Sequence, residues 1–279
     1  MPDRPTTAFT FHKVREQCER GSPDAWRAFL DFYTPLGTHL LRMYLPEGAA
    51  DPARVWEQTL SALVENDYQR FRATEKQSER EFLTDVRALL LDQALQASPP
   101  ASAAPAAAPK TSFDLESLGR LLEGLPLLHQ EMLFLKLAGY TDGSIERMLR
   151  MAPRVAQAAF ARLEADYADA LKIESDRCLW PRPWLALLQA ARGGKQESCP
   201  PLHQFLRIHD GQISWYDKEP TEKHVSGCRR CLEAWTALRE VTYWRKAAPA
   251  VSPEQTETCL RVLPLATPPK KSFLQRMFG

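Results

Sequence analysis

Apolar side chains recur at three- and four-residue intervals along most of the chain, and no stretch sustains the period-two alternation of a half-buried strand. Trp56, Leu60, Leu63 and Val64 fall on one helical stripe, as do Phe82, Val86, Leu89 and Leu90. Ser22 and Asp24 around Pro23 mark the start of a helix carrying Trp26, Phe29 and Leu30. Further on, Leu118, Leu121, Leu122 and Leu125 form a stripe, and Pro126 opens a helix with Met132, Phe134, Leu135 and Leu137. Gly139 ends that helix, Ile145, Met148 and Leu149 mark the next, and Pro153 begins one with Phe160 and Leu163. The pattern predicts an all-α protein.

Breaks in the pattern divide it. Ala97 to Pro109 is a Pro/Ala tract that cannot hold a continuous helix. A softer break falls at Trp180-Pro-Arg-Pro-Trp184, and a Pro-rich stretch from Pro264 to Pro269 precedes a short basic and apolar terminus. The expected organisation is a helical domain over 1–97, a linker over 98–113, a second helical domain over 114–175, a third over 176–250 and a flexible tail over 251–279.

Charge sharpens that division. Residues 1–97 carry 12 basic and 15 acidic side chains, residues 114–175 carry 7 and 10, and residues 176–279 carry 16 and 10. The two N-terminal units are thus acidic and the C-terminal part basic, a complementarity that favours contact between them within one chain. No apolar run reaches the roughly 18 residues of a membrane span, and no signal-peptide core is visible, so a cytoplasmic protein is expected. There is no Gly-rich phosphate loop and no G-x-S-x-G, and the chain is not expected to be an enzyme.

The sharpest chemical motif is His224-Val-Ser-Gly-Cys228-Arg-Arg-Cys231. On a continuous helix these three residues would share one face, converging an imidazole and two thiolates as tetrahedral zinc requires. A closed site needs a fourth donor, for which Cys199, His203 and His209 are the candidates. Cys18, Cys178 and Cys259 have no partner pattern and read as small hydrophobes.

Two resemblances bear on function. Leu125-Pro126, an apolar helix, Leu137-Ala-Gly139-Tyr-Thr, Ile145, Met148-Leu149 and Arg162 together resemble region four of extracytoplasmic-function sigma factors. The stretch from Leu45 through Ala50-Asp51-Pro-Ala-Arg-Val-Trp-Glu-Gln-Thr-Leu60, with Glu65-Asn-Asp-Tyr68 and Phe71-Arg72 after it, is similar to their region two. The resemblance implies two helical sigma modules, the second a helix-turn-helix, joined by the Pro/Ala linker. It also implies core RNA polymerase and promoter DNA as partners. Arg54, Glu57 and Gln58 would then face polymerase, while Arg154, Gln157 and Arg162 would face DNA. The chain departs from the family at Arg54 and Glu57, where an acidic residue and a glutamine are usual. It departs again at Gln157-Ala158-Ala159, where basic residues are usual. These departures leave room for a sigma-derived adaptor or anti-sigma module that does not read promoters.

The motif H-x3-C-x2-C, with a cysteine 25 residues upstream and Leu202, Leu206 and Asp210-Gly211 between, is similar to zinc-binding anti-sigma domains. That resemblance implies zinc held by Cys199, His224, Cys228 and Cys231.

Overall fold

The computed structural model describes residues 10–45, 50–73, 77–98, 115–175, 181–194 and 197–265. The fold is all-α, with no strand among the described residues. The Pro/Ala tract beyond Ser98, Cys178, Trp180 and the basic terminus lie outside the described residues.

Four helices build the first unit: α1 (Phe11–Glu19), α2 (Pro23–Tyr44), α3 (Pro52–Ala73) and α4 (Glu79–Ala97). Their starts follow from local chemistry. The Ser22 hydroxyl accepts from the Ala25 amide ahead of Pro23, and Ser78 forms a reciprocal capping box with Glu81. The aromatic stripes meet as a cluster in which Trp26, Phe29, Phe71 and Phe82 are all at most 1% exposed. Helix α3 is kinked at Glu65–Tyr68, where Asn66, Asp67 and Tyr68 take positive φ of 52°, 53° and 61°. Asn and Asp tolerate that region, whereas Tyr68 is held there by its neighbours. Its ring lies against Trp26, and its hydroxyl donates to the Pro264 carbonyl at 3.2 Å.

The closest approach in this unit is at Gly37, where a Cβ would stand 2.5 Å from Cε3 of Trp56. The Trp56 ring cannot easily yield, because its Nε1–H is bonded to Thr34 Oγ1 at 3.2 Å. Gly37→Ala should therefore destabilise the protein by about 1 kcal/mol or more, the overpacking cost exceeding the gain in helix propensity. Urea unfolding would show a lower midpoint at unchanged slope.

The second unit comprises α5 (Leu115–Leu122), α6 (Leu127–Leu137), α7 (Asp142–Leu149) and α8 (Pro153–Ser175). Thr141 caps α7, and Arg150 closes it in the left-handed region at φ 54°, a position glycine usually fills. Helices α9 (Pro181–Gly193), α10 (Leu202–His209), α11 (Trp215–Gly227), α12 (Arg229–Ala247) and α13 (Pro253–Arg261) follow.

Helix α12 is the centre of the molecule. It packs against α2 and α4 of the first unit, α6 and α7 of the second, and α9, α10 and α11 of its own segment. Leu232, Trp235, Leu238 and Val241 are each at most 1% exposed, and one hydrophobic cluster runs through all three regions.

Residues 253–261 depart from the expected flexible tail. Ser252 caps α13, and Thr256, Cys259 and Leu260 are buried against α2 and α3. Gln255 donates to Thr38 at 3.1 Å, Thr256 to Asp31 at 3.1 Å, and Arg27 to Glu257 at 3.0 Å. A three-residue apolar stripe is too short to stand out in a sequence, yet it suffices to dock a capped helix.

Candidate metal centre

Cys199 precedes the Pro200-Pro201 start of α10, His224 lies in the last turn of α11, and Cys231 lies in the first turn of α12. Cys228 stands between the two helices with extended backbone, φ −120° and ψ 114°. The expected single helix through His224, Cys228 and Cys231 is therefore corrected: the chain turns at Cys228, and α11 and α12 meet there and remain in contact. An extended residue ends one helix and begins the next, so the donors converge across a corner instead of along one face.

The convergence is tight. Donor atoms of Cys199, His224, Cys228 and Cys231 all lie within 4.8 Å of one another, and the Sγ atoms of Cys199 and Cys228 are 3.9 Å apart. Metal–thiolate bonds of about 2.3 Å in a tetrahedron place sulfurs about 3.8 Å apart. Cys228 and Cys231 are buried, and no disulfide involves any described cysteine. The buried Nε2 of His224 has no hydrogen-bond partner among the described residues. Three thiols and an orphaned imidazole nitrogen at this spacing can hold a metal ion.

Without an ion, the surroundings oppose ionisation of the thiols. Burial first, then the adjacent Cys199 and Cys228 sulfurs, pushes the Cys231 thiol well above the ordinary range. A cation at the centre reverses that balance, because it stabilises the thiolates directly. All four positions come from protein side chains, which suits a structural ion more than a catalytic one.

His203 is exposed, and His209 packs edge-on against Trp235 at 4.3 Å, so neither joins the cluster. Burial, then Arg239, Arg80 and Arg150, pushes the His209 imidazole down to about 2. A histidine held neutral in the fold contributes stability that is present above its unfolded value near 6.5 and lost as pH falls below it. Between pH 6.5 and 5.5 the loss should be about 1 kcal/mol. Unfolding curves of the parent and of His209→Phe at those two pH values would show it, with the smaller fall in the variant.

No family model matches this chain, nor does any curated protein or solved structure.

The remaining sequence candidates lie on other surfaces. Arg154, Gln157 and Arg162 are exposed along α8, with Arg162 Nε 3.7 Å from Asp166. Arg54 and Gln58 are exposed on α3, while Glu57 is half-buried. Cys259 of α13 lies near Glu57. Burial, with the Glu57 carboxylate adding to it, pushes the Cys259 thiol up to about 12.

A buried ionic centre lies apart from the metal cluster. Arg87 of α4 is 2% exposed and pairs with Glu233 at 2.7 Å and with Glu240, both on α12. Tyr44 of α2 donates to Glu240 at 3.0 Å, and Tyr140, between α6 and α7, donates to the same carboxylate. Burial keeps both phenols protonated and able to donate. Arg192 of α9 joins Glu233 at 3.4 Å and Asp92 at 2.5 Å. Glu233 and Glu240 share a face of α12 at seven-residue spacing, but with Arg229, Arg230, Arg239, Arg245 and Lys246 on the same helix the two acids do not stand out in the sequence.

Among the described residues, no helix is long and apolar enough to cross a membrane.

Proposed function

We propose that the chain is a cytoplasmic, sigma-factor-like transcription protein. In this reading a zinc ion on Cys199, His224, Cys228 and Cys231 anchors a C-terminal segment that packs in cis against both sigma-like modules. The observation that carries the reading is the position of α12. It leaves the metal cluster at Cys231 and is buried between α2 and α4 on one side and α6 and α7 on the other. A donor set of three thiolates and one imidazole, with no open position, is the chemistry of structural zinc. The partners are core RNA polymerase, through the α3 surface around Arg54, Glu57 and Gln58, and promoter DNA, through Arg154, Gln157 and Arg162. Helix α13 beside Glu57 adds a second element of the C-terminal segment close to the polymerase surface.

A second reading is favoured by the α8 surface. Gln157 and Ala158 are exposed between Arg154 and Arg162, and Arg162 has a carboxylate beside it. So few free cations give weak phosphate contact and little counterion release. On that account the protein is an adaptor or anti-sigma module that binds partners without reading promoters.

The test is titration of core RNA polymerase with the full chain, zinc-loaded and zinc-stripped, followed by promoter DNA. Polymerase binding that appears or tightens when zinc is removed supports control in cis. Polymerase binding without gain of promoter affinity selects the adaptor. Binding by neither form contradicts the proposal.

A further inference from the structure

A cavity of about 270 Å³ opens where α4, α7, α10 and α12 meet, and none of the four metal-cluster residues lines it. Arg80, Arg147, Arg150, Arg239 and Lys246 line it, against the one carboxylate of Asp210. Two of these cations are compensated. Arg80 Nη1 donates to Asp210 at 2.9 Å, and Arg239 Nε stands 3.6 Å from Glu131. Arg147 gives its Nε–H to the neutral hydroxyl of Tyr243 at 2.8 Å. Among the described residues no carboxylate stands within ion-pair distance of Arg147, Arg150 or Lys246, although Asp210 feels the charge of Arg150 across the cavity.

Two wall residues, His209 and Thr242, also carry buried atoms (Nε2 and Oγ1) without a hydrogen bond among the described residues, but both atoms are closed off from the open space, so the cations alone face a ligand. Burial first, then Arg239, Arg80 and Arg150, holds the His209 ring neutral, so it adds no charge to the wall.

We propose that this cavity binds a small phosphorylated anion. Three cations without an ion-pair partner, two from the end of α7 and one from α12, border one space, with Asp210 the only carboxylate in the wall. A tetrahedral phosphate, with several oxygens to satisfy, matches them better than a planar carboxylate does. The cations line a concavity, which suits a free phosphate group better than the convex backbone of a duplex. A ligand there would tie α4, α7, α10 and α12 together, and so raise the stability of the packed arrangement. The inference rests on the cavity alone and not on the transcription reading.

Titration calorimetry of the full-length, metal-loaded protein with inorganic pyrophosphate tests it, with a short duplex DNA in a parallel arm. Metal content is measured before and after, so that chelation is not mistaken for binding. Saturable one-to-one binding is expected, weakened about tenfold or more by Lys246→Met or Arg150→Gly. Arg150→Gly removes the cation while relieving the positive-φ backbone, so a folding defect cannot account for its effect. Absence of saturable binding at millimolar pyrophosphate would overturn the proposal, as would binding that both variants leave unchanged. Tighter binding of duplex DNA, lost on the same substitutions, would equally overturn it in favour of a backbone-phosphate contact.

Discussion

Stripping the metal ion, or replacing Cys231 by serine, should lower the melting temperature by on the order of 10 °C or more. Structural metal sites contribute folding free energy outright, because the unfolded chain has no preformed cluster of thiolates. An ion on the four donors would close the corner between α11 and α12 and tie both to the start of α10. Without it, three sulfurs are left crowded together, with the Cys231 thiol held protonated by burial. The consequence is not confined to the C-terminal segment, because α12 also fills the space between the two other units. Differential scanning calorimetry with and without chelator checks this. A cooperative shift of the whole transition is expected, and recovery on adding back one equivalent of zinc. A melting curve indifferent to chelator would show that the cluster holds no structural ion.

Arg87→Met should cost about 3–5 kcal/mol, among the largest effects of any single side chain outside the metal cluster. Glu233 and Glu240 would remain buried without their shared guanidinium. Arg192 can still serve Glu233, but Glu240 would retain only the hydroxyls of Tyr44 and Tyr140. The pair is costly to break because desolvation has already been imposed on both acids. Removing the charge on both sides should therefore recover part of the loss. Arg87→Met combined with Glu240→Gln is expected to be less destabilised than the sum of the two single variants, by about 1 kcal/mol or more. Urea unfolding of the four proteins completes the cycle. Strict additivity would mean that Arg87 and Glu240 do not interact in solution.

Much of the helical layout could be read from residue types alone. Prolines and hydroxyl caps set the starts of α2, α6, α8 and α13, and the apolar stripes of α3 and α4 are the faces that meet in the first core. Three donors of the metal cluster, His224, Cys228 and Cys231, were also readable from their spacing, whereas the fourth was open among Cys199, His203 and His209 until the resemblance to zinc-binding anti-sigma domains pointed to Cys199. The turn at Cys228 was not, because i, i+4, i+7 spacing suits either one helix or a corner between two. Helix α12 was the least legible element. It is buried on several sides, and its acids face a buried arginine, so it shows no single apolar stripe set against a polar face. Long-range charge pairing of this kind leaves no local periodicity. Arg87 looks like any surface arginine until Glu233 and Glu240, some 150 residues away, are brought to it.

The central claim is that one metal ion on Cys199, His224, Cys228 and Cys231 holds α12 between the other helices. X-ray absorption spectroscopy at the zinc edge, on the purified full-length chain with its metal content quantified, tests it most directly. The account predicts one zinc per chain with three sulfurs and one nitrogen in its coordination shell. A chain that retains no metal, or a shell dominated by oxygen, would contradict it.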